Sequence, residues 1–114
     1  MKTEEEKIEL EQEEAKNLAL NMVKSIFGNG CQIICEERWE EIFKHGWNLE
    51  RDQDYANEEL LKAALFCIDQ KRFEFPWGWM ESYRTKILYK SRIDQLKVAG
   101  ALIAAEIDRL ENIK

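Results

Sequence analysis

Residues 91–114 read SRIDQLKVAGALIAAEIDRLENIK, the stretch with the strongest helical pattern in the chain. Six of its residues recur at alternating intervals of three and four positions, the spacing of the seam along which a helix packs. They are Ile93, Leu96, Gly100, Ile103, Ile107 and Leu110. Glycine costs a helix about 1 kcal/mol relative to alanine, so we expect a packing reason for Gly100. Small residues such as Ala104 beside it would admit another helix of the same chain or of a second copy. The stretch therefore predicts a long C-terminal helix.

A second long helix is predicted at the other end of the chain, from about Thr3 to Phe27. Thr3 is a suitable N-cap, and glutamates fill the first turn, where the helix dipole favours negative charge. The predicted apolar stripe consists of Ile8, Ala15, Ala19, Met22 and Ile26, widened by Leu18 and Val23. Glycines at 28 and 30 end this helix.

Between these helices the sequence predicts two shorter ones and an irregular stretch. One covers Cys31 or Ile33 to Lys44, although residues 31–35 (CQIIC) also suit a short strand. The next is capped by Asn57 and ends near Gln70. Residues 71–86 are rich in aromatics, and their proline and glycine disfavour a regular element. We therefore predict one all-α domain over residues 1–114. It is a small bundle of about four helices, with an aromatic-rich loop before the last.

Composition and charge exclude several classes of function. Net charge is −6, and residues 1–14 carry seven Glu against two Lys, which makes them an acidic helical extension. The remainder is nearly neutral, which disfavours binding of a nucleic acid polymer. The sequence contains no apolar run of the roughly 18 residues that cross a membrane, and the acidic start is unlike a signal peptide. A cytoplasmic location is expected. One histidine and three cysteines leave little for catalysis or disulfides, and we expect no cofactor.

The aromatic-rich loop and the basic residues after it suggest a ligand site. Aromatic rings stack on a nucleobase, and Arg or Lys holds its phosphate. Seven residues form the predicted ligand site for a small nucleotide-like molecule: Trp77, Trp79, Tyr83, Arg84, Lys86, Arg92 and Lys97. The alternative is that the rings fill the core or an interface and that the charges form a solvated face.

A group of carboxylates suggests a different function. Glu36, Glu37 and Glu40 resemble the EExxE element of the MazG-like all-α nucleotide pyrophosphohydrolases. The resemblance implies Mg²⁺ bound by Glu36, Glu37, Glu40 and Glu59. The family pairs this element with a downstream ExxD, and residues 58–62 do not supply one. The alternative to a metal site is a solvated helix face.

A wider resemblance spans residues 36–110. It rests on Glu37-Arg38, Gly46-Trp47, Glu50, Asp52, Glu59-Leu60, Ala63-Ala64, Pro76-Trp77 and residues 96–110 (LKVAGALIAAEIDRL). The pattern resembles a family of small phage and prophage proteins without a settled activity. Members read HDxxHxxGEL in the central segment, whereas Arg51 and Tyr55 stand at the histidine positions here.

This resemblance implies a phage accessory role, such as counter-defence. Our leading hypothesis is a non-enzymatic homo-oligomer that binds a nucleotide-like ligand. Oligomerisation through the Gly100 and Ala104 face would build the pocket between chains. The alternatives are the Mg²⁺-dependent hydrolase and a protein–protein inhibitor that docks through the acidic N-terminal helix.

Overall fold

The computed structural model describes residues 1–44, 58–76, 78–79 and 81–112. These residues form helices and connections, with no strand among them. The five helices are α1 (Glu4–Phe27), α2 (Asn29–Phe43), α3 (Glu59–Ile68), α4 (Glu81–Tyr89) and α5 (Arg92–Glu111). The prediction of an all-α bundle with an aromatic-rich loop is therefore confirmed. Among the described residues, no helix is both long enough and apolar enough to cross a bilayer.

The ends of the two long helices lie where local capping chemistry predicts them. The Thr3 hydroxyl accepts a hydrogen bond from the Glu6 amide at 3.1 Å, and the Ser91 hydroxyl accepts one from the Asp94 amide at 3.1 Å. Both residues satisfy amides that the first turn leaves without a helical partner. Gly28, at φ +95°, separates α1 from α2. The backbone angle there is one that glycine adopts at low cost.

The middle of the chain differs from the sequence prediction in three places. Residues 31–35 are helical, because α2 begins directly after Gly28. The N-cap of α3 is Glu58, in a left-handed conformation at φ 64°, whereas Asn57 lies outside the described residues. The third difference is α4, which occupies part of the stretch expected to be irregular. Its nine residues contain neither proline nor glycine, so the break is confined to the segment before it.

The core forms where α5 packs against α3, with α2 on another side of α5 and α1 packed on α2. The buried cluster takes residues from α3, α4 and α5: Leu60, Ala63, Ala64, Phe66, Cys67, Ile87, Val98, Ala99, Leu102 and Ala105. Four of the ten are alanines, which allow two helix backbones to approach closely. Phe75 and Trp79, from the segment that follows α3, pack against the edge of this cluster.

The seam predicted for α5 is on the wrong side of the helix. Its large apolar members are exposed, from 38% at Ile103 to 66% at Ile93, while Val98, Leu102 and Ala105 are buried. The α1 stripe behaves in the same way, since Met22 is exposed and Leu20 is buried. Heptad spacing identifies an apolar face of a helix, but it does not show whether that face packs in the core of the same chain. The alanine-rich side of α5 makes the closer contact within this chain.

Gly100 does have a packing reason, and it lies within the chain. A Cβ atom at this position would come within 2.7 Å of Ile34 Cδ1 and 2.9 Å of Ile34 Cγ1. The small face of α5 is thus occupied by α2, so the expectation that the Gly100 and Ala104 face joins two chains is wrong for Gly100.

Substitution of this glycine tests that contact. We expect Gly100→Ala to lower the free energy of unfolding by about 1–2 kcal/mol, because overpacking against Ile34 outweighs the roughly 1 kcal/mol propensity gain. Urea denaturation measures the change. Gly30→Ala is the matched control, since a Cβ there meets nothing within 4 Å. In the Ile34→Ala background, Gly100→Ala should instead stabilise the protein by the propensity gain, because the clash is removed. A stabilised Gly100→Ala single variant would contradict the contact.

Candidate functional site

A cleft of about 490 Å³ opens between the end of α3, the loop that follows it and the start of α4. We call it the aromatic cleft. Its lining combines aromatic rings with charges of both signs. The rings are Phe66, Phe73, Phe75 and Trp79, the cations are Lys71, Arg72 and Arg84, and the carboxylates are Glu74 and Glu81. Gln70, Pro76 and Gly78 complete the lining.

The end of α3 fixes the rear of the cleft. The Gln70 side-chain amide donates to the carbonyls of Phe66 and Cys67 at 2.8 and 2.7 Å, which closes the last turn of the helix. The Asp69 carboxylate accepts from the amides of Lys71 and Arg72 at 3.1 and 3.2 Å. A carboxylate that binds the amides two and three residues ahead forms a tight local turn. The two basic side chains are therefore anchored at their backbone.

A second turn places the indole ring of Trp79. The Trp79 amide donates to the Pro76 carbonyl at 3.3 Å, and Gly78 between them has φ +90°. A four-residue turn with a positive φ at its third position requires glycine for low strain. The proline and glycine that argued against a regular element thus direct Trp79 toward the cleft.

The aromatic rings support one another. Phe75 lies at their centre, with ring centroids 5.3 Å from Phe66, 5.7 Å from Trp79 and 5.9 Å from Tyr83. Trp79 and Tyr83 are also 5.9 Å apart. The contacts with Phe66 and Trp79 are edge-to-face, the arrangement that aromatic quadrupoles favour. Phe75, Trp79 and Tyr83 pack on the core and remain only partly buried. The rings thus both seal the core edge and form a wall of the cleft.

Two of the three cations at the cleft, Arg72 and Arg84, lie beside a carboxylate. Arg84 Nη1 lies 3.0 Å from Glu81 Oε1, and its guanidinium carbon lies 5.7 Å from the Phe66 ring centroid. Arg72 Nε lies 3.8 Å from Asp69 Oδ2. A guanidinium has five N–H donors, so one carboxylate contact leaves donors that a ligand can use. The cleft therefore presents oriented cations beside aromatic surface.

The structure describes six of the seven predicted ligand residues, and these six fall into two groups. Trp79 and Arg84 line the cleft, and Tyr83 packs against Trp79. Trp77 lies outside the described residues. The other three, Lys86, Arg92 and Lys97, are not part of the described lining. Lys86 is exposed in the last turn of α4.

The last two of these cations connect helices. Arg92 Nη1 donates to the Cys67 carbonyl at 3.3 Å, which ties the start of α5 to α3. Lys97 Nζ lies 3.7 Å from Glu37 of α2 and 3.4 Å from Asp94. Partial burial acts to lower the pKa of Lys97, but these two carboxylates raise it above its usual value.

Two cations of the cleft were not predicted from the sequence. Lys71 and Arg72 directly precede Phe73, and Phe75 follows two residues later. Basic residues adjoining an aromatic run were a signal that could have identified them. The basic residues from 84 to 97 form the denser group in the sequence, and they give the stronger signal. That group spreads over two helices in three dimensions.

The four carboxylates of the metal alternative are distributed over different contacts. Glu37 pairs with Lys97, Glu40 lies 3.6 Å from Lys44, and Glu36 is exposed. Glu59 is at the start of α3. In the described part of the chain, no group of three or more His, Cys, Asp or Glu could hold a metal ion.

Further buried charges pair within α2 and within α5. Arg38 Nη1 is 3.3 Å from Glu41 Oε2, and its Nη2 is 3.5 Å from Asp108 Oδ2. Arg109 Nε donates to Glu106 at 2.8 Å, and this hydrogen bond raises the pKa of Arg109. Glu41 is 2% exposed and Glu106 6% exposed. Of these contacts only the one between Arg38 and Asp108 joins two helices, and it helps to align α2 with α5.

The three cysteines differ in their surroundings, which predicts their reactivity. Cys31 and Cys35 are exposed on α2, whereas Cys67 is in the core, where burial raises its pKa to about 12. The thiolate is the reactive form, so Cys67 stays neutral and inert at pH 8. We expect an aromatic disulfide reagent to titrate two thiols in the folded protein and the third only after unfolding. Reaction of all three thiols at the same rate in the folded protein would contradict the burial of Cys67.

Comparison of the chain with protein-family models, with curated proteins and with solved structures gives no match. The aromatic cleft itself therefore supplies the observations from which a function is proposed.

Proposed function

We propose that the protein binds a small nucleotide-like ligand in the aromatic cleft and does so without catalysis. The observation that carries the proposal is the convergence of aromatic rings with Lys71, Arg72 and Arg84 on one opening of about 490 Å³. Pockets for small ligands commonly range from about 300 to 1,000 Å³, so the cleft suits a mononucleotide or a compact dinucleotide.

The lining supplies the two kinds of contact that such a ligand needs. The exposed part of Trp79 or Phe73 offers a ring on which a base stacks, worth about 1–3 kcal/mol per base. Arg84 and Arg72 are placed to donate charge-assisted hydrogen bonds to phosphate oxygens. Glu74 and Glu81 would accept from base or ribose donors and disfavour excess negative charge.

A binding protein of this kind acts by holding its ligand without converting it. Tight, stoichiometric binding of a signalling nucleotide lowers its free concentration, which is a counter-defence activity suited to a phage or prophage accessory protein in the host cytoplasm. The resemblance of residues 36–110 to the phage family supports this role. We further propose that the chain works as a homo-oligomer, with a complete cleft in each copy.

Native mass spectrometry tests the proposal. The purified protein is incubated with nucleoside mono-, di- and triphosphates and with cyclic dinucleotides, with and without Mg²⁺. The expected result is one intact ligand retained per chain, independent of Mg²⁺. No ligand retained from the whole panel would contradict it.

The same experiment separates the two alternatives. Conversion of a triphosphate to a monophosphate that requires Mg²⁺ would favour the hydrolase, whose carboxylates the described residues do not gather into a metal-binding group. If the protein neither retains nor converts any nucleotide, the result would favour the protein–protein inhibitor. Residues 1–14 are exposed along their length, which suits a docking surface for a basic partner.

A further inference from the structure

A second cavity, of about 410 Å³, adjoins the aromatic cleft, and we call it the side cavity. It is lined by Lys62 and Leu65 of α3 together with residues 72–76, and residues 72–76 also line the aromatic cleft. The two cavities therefore share one wall, which is the segment that follows α3. Each of them exceeds the roughly 300 Å³ at which pockets for small ligands begin.

The side cavity repeats the chemistry of the aromatic cleft. Its lining contains the rings of Phe73 and Phe75 and the cations Lys62 and Arg72. The Lys62 side chain is exposed, and it forms no hydrogen bond or ion pair with any residue that the structure describes. Leu65, three residues along the same face of α3, is half-buried and adds apolar surface. Both cavities thus combine a surface on which a base can stack with a cation.

The Phe73 ring belongs to both cavities and differs from the other rings of the cleft. Phe75 contacts the rings of Phe66, Trp79 and Tyr83. Phe73 is half-buried, and its ring contacts no other ring within the described ranges of the chain. Bases stack on the faces of aromatic rings, and a phenyl ring has two faces. A ring in the shared wall can therefore support a base in either cavity.

Arg72 is the cation that the two cavities have in common. Its Nε lies 3.8 Å from Asp69 Oδ2, and its backbone amide donates to Asp69 Oδ1 at 3.2 Å. The Arg72 side chain is 76% exposed, and its two terminal nitrogens have no partner in the described part of the protein. A guanidinium donates two parallel hydrogen bonds to one phosphate group. Arg72 is thus positioned to hold a phosphate where the two cavities meet.

We propose that the ligand is a dinucleotide, with one nucleoside in each cavity and the linking phosphate at Arg72. This proposal rests on the proposed function and narrows its class of ligand. The first base stacks in the aromatic cleft, and the second stacks on Phe73 in the side cavity, where Lys62 donates to an acceptor of the second nucleoside. A mononucleotide fills the aromatic cleft alone and leaves Lys62 and Leu65 without contacts.

Isothermal titration calorimetry of the full chain tests the proposal with AMP, GMP and the corresponding dinucleotides in linear and cyclic form. At least one dinucleotide should bind at least about tenfold more tightly than its mononucleotide, because a second base stacks. Lys62→Glu should weaken this dinucleotide at least about tenfold and the mononucleotide less than about threefold. Lys86→Glu is the matched control, since Lys86 is exposed outside both linings, and it should change neither affinity more than about threefold.

Methyl resonances give a measurement that does not depend on a variant. The Leu65 methyl groups should shift on titration with the dinucleotide and stay unchanged with the mononucleotide. Equal affinities for the two ligands, or a Leu65 shift of the same size with the mononucleotide, would overturn the dinucleotide and leave the proposed function standing. If neither ligand binds, the proposed function is contradicted as well.

Discussion

Replacement of Arg84 by glutamate is expected to weaken nucleotide binding at least 30-fold. Arg84 is held at the cleft by Glu81 and the Phe66 ring, with its guanidinium facing the space where a phosphate would sit. A hydrogen bond to a charged group contributes about 1.5–3 kcal/mol, and 1.4 kcal/mol corresponds to a factor of ten. Loss of this contact, together with charge repulsion, gives the expected change. Isothermal titration calorimetry with the nucleotide retained in native mass spectrometry measures it.

Lys86→Glu is the matched control for this substitution. It makes the same change of charge on the same helix, at an exposed position outside the described lining of the cleft. We expect an effect of less than about threefold, because an exposed charge outside the cleft lining makes no hydrogen bond to the ligand and acts only through solvent and salt. Equal weakening by both variants would mean that net charge, not the cleft, attracts the ligand.

Truncation of Leu102 to alanine is expected to lower the free energy of unfolding by about 3–4 kcal/mol. Leu102 is completely buried in the cluster that joins α5 to α3. Removing a buried leucine side chain loses its transfer free energy and leaves a cavity, which together cost about 2–5 kcal/mol. Chemical denaturation followed by circular dichroism measures the loss.

The control is Ile107→Ala on the opposite face of the same helix. Ile107 is 52% exposed, so its truncation should lower the free energy of unfolding by less than about 1 kcal/mol. A larger loss of unfolding free energy for Ile107→Ala than for Leu102→Ala would contradict this orientation of α5. It would mean that the predicted seam faces the core.

The predictable parts of this fold were those set by local chemistry. Thr3 and Ser91 cap helices through contacts within one turn, so the sequence locates both starts. The orientation of α5 could not be predicted in this way. Its isoleucine and leucine seam and its alanine face both suit helix packing, and the choice depends on the alanines of α3 brought against it by the fold. The start of α4 is not predictable from the proline and glycine just before it, because their pattern does not show how far along the chain the irregular segment extends.

The types of residue that line the candidate site could be predicted from the sequence, but not which individual residues line it. Trp79 and Arg84 were identified because aromatic and basic residues adjoin each other there. Arg92 and Lys97 are near Arg84 in sequence, but a new helix begins after Ser91 and carries them to contacts with α3 and α2. Proximity in sequence predicts proximity in space only within one element.

Nuclear magnetic resonance mapping of the retained nucleotide tests the central proposal most directly. The amide and indole resonances of the isotope-labelled protein are followed during titration with that nucleotide. The proposal predicts saturable shifts concentrated at residues 70–76, at the Trp79 indole and around Arg84. Shifts centred on Glu36, Glu37 and Glu40, or no shift at the aromatic cleft while nucleotide binds, would contradict it.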